Sequence, residues 1–166
     1  MCIDGPAGSG KTTLAAALAT ALGGAPVVHM DDLYEGWDQQ LGPTLAERVD
    51  AWVLEPLRCG SDGRYQRFDW AAGRFAGDWV DVPAAPVVIL EGCASASRHL
   101  RTWASLVVWV EAPEDVRLRR GHERDGQAMA AQWRAWQRHE AAHFAVDGTR
   151  GAADLIIDGT TGAVVG

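Results

Sequence analysis

The sequence predicts an α/β fold in three layers, with helices on both faces of a five-stranded parallel sheet. Short, continuously apolar stretches alternate with stretches of helical periodicity along the chain. A glycine-rich turn joins the first apolar stretch to the first helix, as in parallel sheets with right-handed crossovers. The length of 166 residues is that of one domain, so we expect residues 1–166 to form a single domain.

The glycine-rich turn, residues 5–12, reads GPAGSGKT and has the spacing of the phosphate-binding P-loop. Its glycines let the backbone wrap around a phosphate, and the N–H groups that open the following helix point at the anion. Lys11 would place its charge between the β- and γ-phosphates, and the Thr12 hydroxyl would ligate Mg²⁺. The residues predicted to bind the nucleotide are Gly5, Ala7, Gly8, Ser9, Gly10, Lys11, Thr12 and Thr13.

Lys11 is also the only lysine of the chain, and every other basic side chain is an arginine. Lysine carries a compact charge, whereas the guanidinium of arginine is a flat fork. A lysine at this one position therefore indicates a site that a point charge fits and a fork does not.

Composition excludes several classes of function. Apolar residues make up 48% of the chain and charged residues 22%, and the net charge of −7 argues against a nucleic-acid surface. The three cysteines, Cys2, Cys59 and Cys93, form no C-x-x-C pair, so a disulfide framework or zinc site is not expected. No apolar run has transmembrane length and no signal peptide is recognisable. We expect a cytoplasmic protein without nucleic-acid or membrane partners.

The secondary-structure elements follow in order. The apolar stretches predicted as strands are 1–4, 25–30, 86–92, 106–110 and 154–158. The first is short for a central strand, so either the true start lies upstream of Met1 or the numbering begins inside the strand. The predicted helices are 10–22, one capped at Thr44 with Glu47 at capping-box spacing, 97–104, one that includes 116–125, and 127–144. Residues 35–42 are expected to form a loop, and 159–166 a loop or frayed tail.

Residues 61–82 are predicted to form a short antiparallel excursion that binds the acceptor, the small molecule to which a phosphoryl group would be transferred. Aromatic residues, arginines and a carboxylate are mixed there: Arg64, Tyr65, Arg67, Asp69, Trp70 and Arg74. Such a mixture suits a pocket that stacks a flat or sugar-like group and hydrogen-bonds it. The alternative is an exposed hairpin with solvated charges.

Acidic and basic residues mark the predicted ligand edge of the sheet. Asp31 and Asp32 directly follow the second strand, and Glu91 ends the third, where an acid of a P-loop protein can hold Mg²⁺. Farther along, three arginines at helical spacing, Arg117, Arg120 and Arg124, share one helix face. They either converge on a transferred phosphoryl group or form a solvated basic face.

Taken in order, the motifs GPAGSGKT, DDLY, VVILEG and RLRRGHERD resemble those of P-loop small-molecule kinases of the P-loop NTPase superfamily, and most of all the uridine kinase-like group. The resemblance spans nearly the whole chain. It implies the nucleoside- and nucleotide-kinase strand order 2-3-1-4-5, a short lid at about 117–126, and ATP and Mg²⁺ as cofactors. It also implies a small-molecule acceptor, a nucleoside or another hydroxylated metabolite.

The resemblance also implies roles for individual residues. Asp31 matches the base toward the acceptor hydroxyl and lies near Mg²⁺, with Thr12 and Glu91 as further metal ligands. Lys11, Arg120 and Arg124 complete the predicted catalytic set. The predicted substrate residues are Tyr34, Arg64, Tyr65, Arg67 and Asp69. This sequence departs from that group at one element. The group recognises the pyrimidine base with an F-D-H-P type element, and Arg67-Phe68-Asp69-Trp70 stands in its place here.

Three functions follow from these motifs. The leading one is ATP-dependent transfer of the γ-phosphoryl group to a hydroxyl of a small metabolite. A nucleoside-monophosphate kinase would instead use Arg64, Arg67 or Arg74 to hold an acceptor phosphate and would need no base. A nucleotide-binding regulatory module would switch shape and transfer nothing. The predicted lid favours the hydroxyl kinase, and so does the acid that follows the second strand.

Overall fold

The computed structural model of the protein describes residues 1–37 and 41–166, so residues 38–40 of the predicted 35–42 loop lie outside the described part. The chain runs β1 (Cys2–Asp4), α1 (Lys11–Ala21), β2 (Val27–His29), α2 (Pro43–Val49), α3 (Glu55–Arg58), β3 (Gly63–Asp69), β4 (Arg74–Val82), β5 (Ile89–Glu91), β6 (Val107–Glu111), α4 (Glu114–Asp125), α5 (Ala130–Asp147) and β7 (Leu155–Asp158). Five strands form one parallel sheet in the order β2-β5-β1-β6-β7. Counted among the parallel strands, this is the predicted order 2-3-1-4-5, and the predicted fold class is confirmed.

Two hydrophobic cores lie on opposite faces of this sheet, because side chains alternate along each strand. Ile3 of β1 is fully buried in one core, where it packs with Leu14 and Leu18 of α1. Its neighbour Cys2 belongs to the other core, which includes Leu45 of α2 and Trp136 of α5. The sheet is therefore the middle of three layers.

The helix predicted to begin at Thr44 differs from the prediction at both ends. It is capped by the backbone of Gly42, with Pro43 in its first turn and no side-chain cap, so the predicted capping box is wrong. Residues 50–54 form a π-helical turn before α3. Pro56 has no N–H and its ring would clash with the carbonyl of Trp52, so the regular α-helical pattern cannot continue through this point.

Strands β3 and β4 form the predicted antiparallel excursion. They pair from Gly63 opposite Val82 to Asp69 opposite Arg74, outside the parallel sheet. The Phe75 ring of this hairpin packs edge-on against Trp52 of the π-helical turn, with ring centroids 5.5 Å apart. The hairpin is thus held beside the sheet by aromatic packing.

Two short segments depart from their predictions. Of the helix predicted at 97–104, only a 3₁₀ turn at Leu100–Trp103 forms. The tail folds back on β7, because the Val165 N–H donates to the Ile156 carbonyl at 2.8 Å and Ile157 bridges Val164. The final residues therefore extend the sheet edge locally instead of fraying. Within the described ranges, no helix combines the length and the apolar character that crossing a membrane requires.

Candidate active site

The P-loop connects β1 to α1 in a conformation that only glycine tolerates at two of its positions. Gly8 has φ of +78°, and a Cβ there would lie 2.6 Å from the Arg117 carbonyl oxygen. Gly5 has φ of +136°, and its Cβ would lie 2.1 Å from the Val110 carbonyl oxygen. The glycines therefore let the loop lie directly against β6 and α4, and α1 begins at Lys11 with its N–H groups at the loop.

The Lys11 side chain is buried against the loop. Its Nζ donates a hydrogen bond to the Pro6 carbonyl oxygen at 2.9 Å and lies 3.9 Å from Cys93 Sγ. Burial disfavours the charged amine, but the acidic groups around it, Cys93, Glu140 and Asp31 among them, outweigh burial and raise the pKa of Lys11. Lys11 is therefore a cation poised beside the P-loop.

A hydroxyl and two carboxylates meet at the carboxyl ends of β2 and β5, next to the start of α1. Thr12 Oγ1 donates to Glu91 at 3.2 Å, and His29 Nδ1 lies 2.6 Å from Glu91 Oε1. That hydrogen bond is the main reason why the pKa of His29 is raised. Asp31 opens onto the same cavity, and enclosure by protein raises its pKa, although Lys11 opposes the shift.

The side-chain oxygens of Thr12, Asp31 and Glu91 suit the predicted magnesium site, since Mg²⁺ binds through one or two carboxylates together with phosphate oxygens. In the described part of the chain, no group of three or more His, Cys, Asp or Glu side chains could hold a metal ion. A metal at Thr12, Asp31 and Glu91 would therefore depend on nucleotide phosphates for its remaining ligands.

Asp4 fastens the start of the P-loop to the segment after β5. Its fully buried carboxylate accepts hydrogen bonds from the N–H groups of Gly5 at 2.7 Å, Ala94 at 3.0 Å and Ala96 at 2.8 Å. Burial raises the pKa of Asp4 to about 7, against the opposing effect of these bonds and of Lys11. Ala94 has a φ of +66°, an unusual conformation that these bonds help to hold.

Replacing Asp4 with asparagine should destabilise the protein by about 1–3 kcal/mol, because an amide NH₂ would face at least one of the three N–H donors. Thermal unfolding should show a loss of roughly 2–4 °C in Tm for each kcal/mol. Asp81→Asn on β4, which changes an exposed carboxylate, is the matched control and should leave Tm unchanged. Equal Tm values for both variants would contradict the anchoring role.

Glu140 of α5 is a buried carboxylate that the motifs did not reveal. It accepts hydrogen bonds from the Ala7 N–H of the P-loop and from Arg117 Nη1, both at 2.8 Å. Its spacing from Trp133 and Trp136 places it on the buried face of α5, and an acid on such a face is the sequence signal that could have identified it. Glu140 therefore ties α4 and α5 to the P-loop.

The arginines of α4 divide between the P-loop and solvent. Arg120 donates to the carbonyl oxygens of Gly8 and Gly159, both at 3.0 Å, and its side chain lines the cavity. Arg124 lines the same cavity, paired with Asp125 at 2.8 Å. Arg119 points away and lies 3.8 Å from Glu123. The predicted lid thus lies on a helix whose N-terminal half contacts the P-loop, and its role as a lid stays a prediction.

The hairpin residues predicted to bind substrate have structural partners instead of lining the cavity. Tyr65 Oη donates to Asp32 Oδ2 at 3.0 Å, and Arg67 Nε donates to the same atom at 3.1 Å. Asp69 accepts the N–H groups of the turn that follows it, and Arg64 lies over the Trp79 ring at 4.8 Å. Their role in substrate binding stays a prediction that the lining of the cavity does not support.

One cavity of about 720 Å³ collects most of the remaining predicted residues, whereas Gly5 and Ser9 of the P-loop do not line it. Its lining includes Ala7, Gly8, Gly10, Lys11, Thr12, Thr13, Asp31, Tyr34, Glu91, Arg120 and Arg124. Trp70 of the predicted acceptor-binding excursion lines it, as do side chains that the sequence did not assign to a role: Trp37, Cys93, Asp125, Met129, Trp133 and Trp136. Predicted nucleotide, metal and catalytic residues thus share a cavity with a group of aromatic rings.

Comparison with known proteins places this geometry among solved folds. The sequence matches no known family description and no curated protein. A protein described as a possible uridine kinase from Bacillus stearothermophilus has a similar structure, with a TM-score of 0.68 and 20% identity over 95% of this chain and 86% of that one. A candidate fructose transport system kinase from Silicibacter sp. TM1040 also has a similar structure, with a TM-score of 0.59 and 21% identity over 86% of this chain and 84% of that one. The chain therefore has a P-loop kinase-like fold.

Proposed function

We propose that the protein is an ATP-dependent phosphotransferase that transfers the γ-phosphoryl group to a hydroxyl of a small molecule. The observation that carries the proposal is the shared cavity, where Lys11 and Thr12 of the P-loop meet Asp31 and Arg124. A fold of this kind hosts other functions, so the proposal depends on the site and not on the fold.

The nucleotide side of the cavity supplies phosphate binding and charge. The N–H groups from Gly8 to Thr12 would hold the phosphates, and Lys11 would exchange the Pro6 carbonyl for the β- and γ-phosphates. Bound Mg²⁺, held by Thr12 and the nearby carboxylates, would offset the developing charge on the phosphates. Arg124 adds a cation to this cavity, while Arg120 holds the P-loop against the turn at Gly159.

The acceptor side of the cavity begins at Asp31, the proposed base. Its raised pKa strengthens it as a proton acceptor, and the neighbouring Lys11 and Arg124 favour its charged form. The proton of the acceptor hydroxyl would pass to the Asp31 carboxylate as the oxygen attacks. Since Tyr34 lies one turn farther along the chain and also lines the cavity, it would contact the acceptor.

Two alternatives have less support. An acceptor phosphate would need a cation, but the cavity lining contains none of Arg64, Arg67 and Arg74. A regulatory module needs no base, yet Asp31 opens onto the cavity beside Thr12 and Glu91. Both observations favour a hydroxyl acceptor.

A coupled assay of ADP release over a panel of nucleosides, sugars, sugar acids and vitamins tests the proposal. We expect release that needs both Mg²⁺ and an acceptor, because the phosphoryl group must be neutralised and then captured by a hydroxyl. Release that only phosphate-bearing acceptors stimulate would indicate a nucleotide kinase. Tight ATP binding with no acceptor-stimulated release would indicate the regulatory module.

A further inference from the structure

The cavity is lined by five aromatic rings and one thioether, which we call the aromatic wall: Tyr34, Trp37, Trp70, Met129, Trp133 and Trp136. Resting on the proposed function, we propose that the acceptor is a hydroxylated molecule built on a flat aromatic ring system and is not a sugar or a phosphate ester. The wall contains four of the chain's eight tryptophans. Such a concentration of rings favours a ligand that stacks.

Four rings of the wall, those of Tyr34, Trp37, Trp70 and Trp136, contact one another. Trp37 contacts Trp70 at a centroid distance of 5.5 Å and Trp136 at 6.2 Å, and Tyr34 lies 5.0 Å from Trp136. Since these four rings support one another, this part of the wall is formed before a ligand arrives, and little ordering is required on binding. Tyr34 follows Asp31 by three residues, so a ring on this wall would lie next to the proposed base.

Two polar atoms of the wall, the Tyr34 hydroxyl and the Trp133 indole N–H, are already used within the protein. Tyr34 Oη donates to the Cys93 carbonyl at 2.9 Å, and Trp133 Nε1 donates to Asp125 Oδ2 at 2.8 Å. Sugar hydroxyls and nucleobase edges lose affinity when they are buried without hydrogen-bond partners. What these residues offer a ligand is ring surface.

Exposure and charge support the same class of ligand. Trp70, at the end of β3, is 44% exposed although it lines the cavity, and a stacked ring would cover that apolar surface. Arg67, the arginine closest to it in sequence, is paired with Asp32 and does not line the cavity. The hairpin therefore supplies no arginine to the wall for an acceptor phosphate, and Arg124, which lies 5.4 Å from the Trp133 ring, is already paired with Asp125.

Three probes test the inference on the full chain: indole-3-ethanol, uridine and D-fructose. Calorimetry in the presence of ADP and Mg²⁺ measures binding, and coupled ADP release measures turnover. We expect indole-3-ethanol to bind at least about tenfold more tightly than the other two, because ring surface is the main feature that the wall presents and only indole-3-ethanol is mostly ring.

Two variants locate the binding surface. Trp37→Ala and Trp70→Ala should each raise the KM for indole-3-ethanol roughly 10- to 100-fold and leave the KM for ATP within about twofold. Trp79→Ala is the matched control, since Trp79 belongs to the same hairpin, is 43% exposed, and packs on Trp52 outside the cavity lining. It should change neither KM.

Failure of the inference and failure of the proposed function are distinguishable. A lower KM for uridine or D-fructose than for indole-3-ethanol, or values that neither tryptophan variant changes, would overturn the aromatic acceptor and leave phosphotransfer intact. Absence of ADP release with every probe would count against phosphotransfer. Calorimetry then still decides the inference, because failure of indole-3-ethanol to bind would overturn it.

Discussion

Lys11→Ala should lower kcat for phosphotransfer by about 10²–10³-fold, the usual loss when one preorganised group that stabilises the transition state is removed. Lys11 is a buried cation whose pKa is raised, so its charge is present at neutral pH. Without it, the negative charge on the β- and γ-phosphates would have no amine to offset it. Coupled ADP release at saturating ATP, with Tm as a check on folding, measures the effect.

Lys11→Arg should fail to restore activity, because a guanidinium is larger and flat and the side chain lies between the Pro6 carbonyl and Cys93 Sγ. Arg119→Ala is the control for loss of a positive charge, since that side chain faces solvent on α4. It should leave kcat unchanged. Near-normal turnover of Lys11→Arg would refute the argument built on the single lysine.

Asp31→Asn should lower kcat by about 10²–10⁴-fold, the usual contribution of a general base, while the KM for ATP changes little. The surrounding protein raises the pKa of Asp31, but the residue is exposed and solvent screens its charge, so its ionisation contributes little to stability in either direction. The asparagine variant should therefore leave Tm nearly unchanged. Steady-state kinetics and thermal unfolding of one preparation measure both effects.

Asp32→Asn should show the opposite pattern, with a lower Tm and nearly normal kcat. Asp32 accepts hydrogen bonds from Tyr65 and Arg67 and so holds the hairpin. If Asp32→Asn lost more turnover than Asp31→Asn, Asp32 would be the base. If neither variant lost turnover while Arg64→Ala or Arg67→Ala did, the acceptor would carry a phosphate.

Local sequence patterns were sufficient to predict much of the fold. The five apolar stretches became the five parallel strands, because a strand buried on both faces must be continuously apolar. The antiparallel excursion was also recognisable, since alternation and turn residues are local signals. The capping box failed because Pro43 and Gly42 supplied a different helix start, and spacing alone could not rank the two.

The sequence by itself determined the topology and the predicted phosphate-binding side of the cavity, because the P-loop and the strand ends are contiguous segments. Only the tertiary structure decided the composition of the proposed acceptor side. It brought Glu140 to Ala7 across 133 residues and directed Tyr65 and Arg67 to Asp32 instead of the cavity. It also gathered the tryptophans of separate segments into one wall. The physical reason is that long-range contacts depend on how buried faces pack together, and spacing along the chain does not encode that packing.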